Sequence, residues 1–329
     1  MSTTTTHGSS WGFVCGRASA CEGRLLSEDF FLSIASLVQI EDILRQLNDT
    51  PLRDFLTPGA DWEDWSAVID RYFHQHVLSI RQDCPKPEVA DIFLIRDDYQ
   101  NLKTALLGNR ELPFPPLYLT AEQLVPVANG DISALPSPFK ESASRALRSL
   151  ESTRNQACVD AILDGAYLRH LQAFAAALNV SLIHDYTEAY VLSRVVLAMW
   201  REYRAGRDVQ HYVQHALPLG SVSAMAQVLA DAGDPKGWGD VLTGKVGEVY
   251  RQANAVTDGE EVQRFEDLIM NYLINIATKG YGQVAGPERV FAYLRVLASE
   301  THNLKLVVCG RMNRIDSTVL KRRLRRKNG

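Results

Sequence analysis

Four groupings in the sequence have residue types that could do chemistry, and each lacks a part. Gly239-Asp240-Val241-Leu242-Thr243-Gly244-Lys245 has the glycine and lysine spacing of a loop that cradles phosphates with backbone amides. Val246 stands where a Ser or Thr hydroxyl must hold magnesium. No apolar strand precedes it: 225–230 reads as helix and 233–239 as turn, so the strand-loop-helix setting of a phosphate loop is missing. Gly280, Gly282 and Gly286 resemble a dinucleotide fingerprint with one residue too many, and they follow a helical pattern rather than a strand. They read instead as a helix-ending loop before Pro287. His74 and His76 are two positions apart, hence on different faces of a helix, and no H-E-x-x-H spacing occurs. Asp70 and Asp160 are carboxylates that a helical enzyme could use, but neither has a visible catalytic partner, and no G-x-S-x-G elbow or reactive-cysteine signature is present. The expectation is no catalytic residue, no cofactor, no metal and no small-molecule substrate.

The elements that must position any site read as helices. Trp62, Trp65, Ile69, Tyr72, His76 and Ile80 step by three or four along one helical face, with Asp61 as the expected N-cap and Asp64 at the third helical position. Similar patterns cover 30–47, 144–178, 187–204, 262–277 and 287–308, whereas alternating strand patterns with hairpin turns are nearly absent. The expected class is all-α. Turn-rich stretches at 112–118, 129–138, 217–223 and 232–239 are each too short for a flexible tether, so the helices are expected to pack as one continuous body.

Composition narrows the setting. The chain has 329 residues, 46% hydrophobic and 22% charged, which excludes disorder and a collagen-like repeat. Lys321, Arg322, Arg323, Arg325, Arg326 and Lys327 concentrate positive charge after Leu320, so the body is more acidic than the net charge of −4 suggests. An acidic body is a poor nucleic-acid binder, since that affinity rests on clustered Lys and Arg. The basic tail, 321–329, reads as a solvated helix end, with anionic lipid or an acidic partner as the alternative. Cys15, Cys21, Cys84, Cys158 and Cys309 are odd in number, widely spaced and without a C-x-x-C pair; reduced thiols in a cytoplasm fit best. No apolar run reaches the ~18–20 residues needed to cross a bilayer. Residues 1–10 are Thr- and Ser-rich without a basic n-region and read as a flexible leader, not a secretory signal.

Internal repetition is the most informative feature. Asp98-Tyr99-Gln100-Asn101-Leu102-Lys103 followed by Gly108 matches Glu300-Thr301-His302-Asn303-Leu304-Lys305 followed by Gly310, with acid, Asn-Leu-Lys and glycine in one register. A degraded middle copy keeps the spacing: Asp70 precedes Asp98 by 28 positions and Asp160 precedes Glu188 by 28, with Val191 where the asparagine would sit. A Leu-Pro loop follows the first two motifs, Leu112-Pro113 and Leu217-Pro218, leading to short helices ending near Leu124 and Leu229. The third unit is stretched, with Glu266 and Asp267 on its helix. These observations predict three related helical modules at 11–125, 126–235 and 236–320. On a helix Asp98, Asn101, Leu102 and Ala105 share a face, as do Glu300, Asn303, Leu304 and Val307, while Lys103 and Lys305 point elsewhere. Each acid and asparagine is expected to satisfy a buried loop or helix end within its module. The functional alternative is that the asparagines line a central hollow and grip a partner.

In this order the motifs resemble the central-stalk family of rotary V/A-type ATPases and ATP synthases, whose members are called C in the prokaryotic complexes and d in the eukaryotic ones. Residues 11–26, with Arg17, Glu22, Leu25 and Leu26, resemble the family's opening aromatic, arginine and Leu-Leu pattern; 36–50, with Glu41 and Leu47-Asn48-Asp49-Thr50, resembles the segment after it. Val68-Ile69-Asp70-Arg71-Tyr72-Phe73 with 98–103, Leu217-Pro218-Leu219-Gly220 and 287–310 resemble its later motifs, and Val191 departs from the pattern. The resemblance implies a helical funnel with pseudo-threefold symmetry, seated peripherally on the cytoplasmic face of a membrane rotor (proteolipid) ring and receiving the central-shaft subunits. It implies a non-catalytic, cofactor-free part that couples shaft and ring for ion transport. A helical-repeat adaptor gripping a protein in a groove is the competing reading; common helical solenoids repeat at about 33–47 residues, whereas these modules are longer and unequal.

Overall fold

The computed structural model describes residues 10–55, 64–216 and 220–325, and every regular element among them is helical. The chain is all-α. The helices are α1 Trp11–Glu22, α2 Glu28–Ile34, α3 Ile40–Leu47, α4 Trp65–Asp83, α5 Glu88–Leu106, α6 Ala121–Leu124, α7 Phe139–Thr153 and α8 Gln156–Leu178. There follow α9 Ser181–Arg204, α10 Val209–Ala216, α11 Ser221–Ala232, α12 Pro235–Val241, α13 Gly244–Ala253, α14 Glu261–Thr278, α15 Pro287–Met312 and α16 Ser317–Arg323.

Local chemistry sets the starts. Ser10, Ser27, Asn155, Asp234 and Asp316 each accept a hydrogen bond from a first-turn amide, and Pro235 and Pro287 occupy first-turn positions where no amide hydrogen is needed. Two patterns that read as single helices are broken. The 30–47 stretch divides into α2 and α3, and the 144–178 stretch is interrupted where Arg154 takes a left-handed φ of 52° and Asn155 caps α8 through the Ala157 amide. Apolar periodicity runs through both breaks because the flanking helices bury the same kind of face; the capping residues carry the stop signal. The 233–239 turn is instead mostly the short helix α12, started by the Asp234 cap and Pro235. The expected cap Asp61, with Trp62, and the loop residues 217–219 lie outside the described residues.

Contacts divide the chain into two compact units: 1–93 with 270–329, and 94–269, the boundaries falling within α5 and α14. In the first, α15 is the spine, with α1, α2, α3, α4 and α16 packed on it. Its Phe291, Leu294, Leu297, Leu304 and Val307 are wholly buried, each removal of such a side chain from water contributing about 1.5–3 kcal/mol. In the second unit α8 plays that part, with α7, α9 and α10 against it. Gly165 permits the close approach of α10, since a Cβ there would fall 2.6 Å from the Ala216 carbonyl oxygen. No helix among the described residues is long and apolar enough to cross a membrane.

Candidate functional site

The repeated acid and asparagine residues turn out to be staples. In the second unit Asp98 and Asn101 sit one turn apart on α5, both fully buried. The Asp98 carboxylate accepts from the amides of Leu117 and Tyr118 at 2.9 and 2.8 Å. Asn101 donates Nδ2–H to the Phe114 carbonyl at 2.9 Å and accepts the Phe114 amide at 3.1 Å. One side-chain amide thus satisfies both polar groups of one peptide residue, and the proline-rich 112–118 loop is fastened by four hydrogen bonds. Burial pushes the Asp98 carboxyl up, opposed by the amides it accepts from. Tyr99, between them, packs against Phe139 and the His170 ring, whose pKa burial lowers to about 4.

The last copy, in the first unit, repeats the asparagine grip, but its partners lie outside 236–320, contrary to the expectation that each acid and asparagine acts within its own stretch. Asn303 donates to the Arg325 carbonyl at 2.9 Å and accepts the Arg325 amide at 2.8 Å, the same two-bond grip on one residue. Glu300 accepts from the Leu26 amide at 2.6 Å and the Tyr72 hydroxyl at 2.8 Å. Burial raises the Glu300 carboxyl to about 7, against the pull of those two donors. Glu300 and Asn303 border a cavity of about 340 Å³ whose apolar wall includes Leu25, Leu26 and Phe31. The basic run begins in the last turn of α16, where its charge complements the helix dipole, and Leu324 is buried just beyond. Residues 326–329 of that run lie outside the described residues.

The lysines point away from the staples, as the helical spacing requires. Lys103 reaches Asp160 and Asp164 on α8 at 3.1 and 3.2 Å, and Lys305 reaches Asp70 on α4 at 2.6 Å. Asp70 and Asp160, the two carboxylates an enzyme reading would need, are both occupied by these ammonium groups. In the middle copy Glu188 accepts from Gln172 Nε2 at 2.9 Å and Ser221 Oγ at 3.2 Å, and Val191, in the asparagine position, is buried core.

The other tempting groupings serve the fold. Lys245 pairs with Glu248 at 2.7 Å, and the carbonyls of Gly239 and Leu242 accept from Arg251, so these two loop carbonyls bind a cation, the opposite polarity to a phosphate cradle. Gly286 precedes Pro287 at the start of α15, and His74 Nδ1 lies 2.7 Å from the Asp70 carbonyl while His76 packs edge-on to Tyr72 and tilted against Phe55. A grouping that the sequence reading passed over is Cys158 with His211 and His215, whose potential ligand atoms lie within 4.8 Å of one another. The signal available was the histidine pair four positions apart, one face of a helix; the cysteine is 53 positions upstream of His211.

A family model described as ATP synthase (C/AC39) subunit matches residues 14–323, nearly the whole chain. A search of curated proteins finds no match. The helical class, the ordered motifs and the length of that match agree, and the chain belongs to the C/AC39 family of the rotary V/A-type ATPases and ATP synthases.

Proposed function

We propose that this chain is the rotor coupling of its complex: a non-catalytic socket at the cytoplasmic face of the membrane that joins the central-shaft subunits to the proteolipid ring. Three related modules, 11–125, 126–235 and 236–320, follow one another around a central axis in this reading. The observation that carries it is the order of the charged links. Lys103 of the first module holds Asp160 of the second, and Lys305 of the third holds Asp70 of the first. Between second and third, where the repeat is degraded, Arg194 and Arg201 hold Glu266 at 3.3 and 2.9 Å. Each module reaches for the next and the last reaches for the first, an order that fits a closed pseudo-threefold arrangement better than an open solenoid.

The staples support a mechanical role. A part that transmits torque must not yield between shaft and ring, and buried two-bond grips on loops and helix ends stiffen the positions where a helical protein is softest. Asp98, Asn101, Glu300 and Asn303 are structural in this account, and partner contacts fall to exposed surfaces. Co-purification tests the reading. The tagged chain should carry shaft and ring proteins with it and show no ATP hydrolysis alone; recovery of unrelated clients without either would favour the adaptor, and turnover by the isolated chain would contradict both.

A further inference from the structure

The second unit holds a side-chain cluster that the coupling role does not use. Cys158 is the third residue of α8, fully buried, with its amide bonded to the Asn155 carbonyl at 3.2 Å. The first turn of this 23-residue helix is the positive end of its dipole, a setting that suits an anionic sulfur ligand. His211 and His215 lie one turn apart on α10, their rings 4.4 Å apart and both half-buried. The Sγ of Cys158 is 3.4 Å from His211 Nε2. Sulfur and nitrogen bound to one tetrahedral zinc at ordinary bond lengths are about 3.5 Å apart, so this pair already has the required spacing.

One outer contact orients a ligand as metal sites do. His215 Nδ1 is 2.8 Å from the His211 carbonyl, which can only accept, so the proton sits on Nδ1 and the Nε2 lone pair is left for a ligand bond. Thr153 Oγ1 lies 3.7 Å from Cys158 Sγ, with its proton donated to the Ser149 carbonyl at 2.7 Å. Arg145 Nη2 donates to the His215 carbonyl oxygen at 3.5 Å. Gly165 lets α8 approach Ala216 at the end of α10, the helix that carries both histidines. Zinc suits two imidazoles and one thiolate, with water as the fourth ligand.

We propose that Cys158, His211 and His215 form a three-ligand site for a borderline transition-metal ion of the zinc(II) class. Binding forms one metal–sulfur and two metal–nitrogen bonds and releases the Cys158 thiol proton to bulk water, with no change of oxidation state. The test uses the full chain, stripped of metal by a chelator and titrated with cobalt(II) and then zinc(II). The expected result is one equivalent of cobalt bound with a thiolate charge-transfer absorption, displaced by zinc. Cys158→Ser should abolish that absorption, and His211→Asn and His215→Asn should each weaken zinc affinity at least tenfold while helical circular dichroism is unchanged. The half-buried histidines keep the test open if the buried cysteine variant fails to fold. Absence of the absorption in the parent chain, or binding that survives both histidine changes and follows Cys21 or Cys309 instead, overturns the proposal.

Discussion

Asn101 and Asn303 perform the same task in different surroundings. Each uses both ends of its side-chain amide on the backbone of a single residue, Phe114 in one case and Arg325 in the other. The neighbouring acids differ more. Asp98 binds two successive amides of the loop that Asn101 also holds, so acid and amide act on one segment. Glu300 binds the Leu26 amide and the Tyr72 hydroxyl while Asn303 holds Arg325, so three segments converge on α15. The glycines diverge too. Gly108 follows the end of its helix with φ at 87°, whereas Gly310 lies within α15, where a Cβ would run into the buried Leu320. A repeated motif has kept its hydrogen-bond grammar while changing what it fastens.

The largest expected break in that comparison is Asn101→Ala. It removes both hydrogen bonds to the Phe114 backbone and opens a small void at a fully buried position, at a cost of about 3 kcal/mol in denaturant unfolding. Asn303→Ala releases only the segment after α16 and should cost about 2 kcal/mol, with faster hydrogen exchange at the Arg325 amide. Equal losses would mean that the two grips are energetically interchangeable and the loop adds nothing.

The acids should separate by pH. The folded chain holds the Glu300 proton with a pKa of about 7, above the unfolded value of about 4.3. The associated stability is fully present below the unfolded value and is lost as pH rises through 7, a change of roughly 3 kcal/mol. Denaturant melts of the parent chain between pH 4 and 8 should show this slope. Glu300→Gln should flatten it, and an unchanged slope in that variant would assign the titration elsewhere.

Smaller effects sharpen the contrast. Gly310→Ala displaces Leu320 and should cost about 2 kcal/mol; Gly108→Ala forces a side chain into the left-handed region and should cost about 1 kcal/mol, both read from thermal midpoints. Lys103→Met and Lys305→Met remove partly exposed ion pairs and should each change stability by less than about 1 kcal/mol. If the links order the modules as proposed, the double variant should impair assembly of the complex more than it lowers the melting temperature.

The helical class and the staple residues were legible because both follow from local pattern. Asp98 with Asn101 and Glu300 with Asn303 share a face by arithmetic, and a polar pair travelling with apolar neighbours must be buried and satisfied. Their partners were not legible. Phe114 is 13 positions from its asparagine and Arg325 is 22 from its own, and neither distance follows from the motif. The matching register of Gly108 and Gly310 suggested one role where there are two, since a helix end and a close packing contact both demand the absence of a Cβ. The break between α7 and α8 escaped the apolar pattern because it is made by a left-handed Arg154 and the Asn155 cap. Cys158 with His211 and His215 was hidden for a related reason: ligands meet through packing of α8 on α10, which spacing along the chain does not encode.

The central claim, that this protein couples rotation and does no chemistry, is tested most directly by assembling the rotary complex with and without it and measuring ATP hydrolysis and ATP-driven ion transport side by side. Hydrolysis should persist without the chain, transport should be lost, and adding the purified chain should restore it. Undiminished transport in its absence would contradict the coupling role.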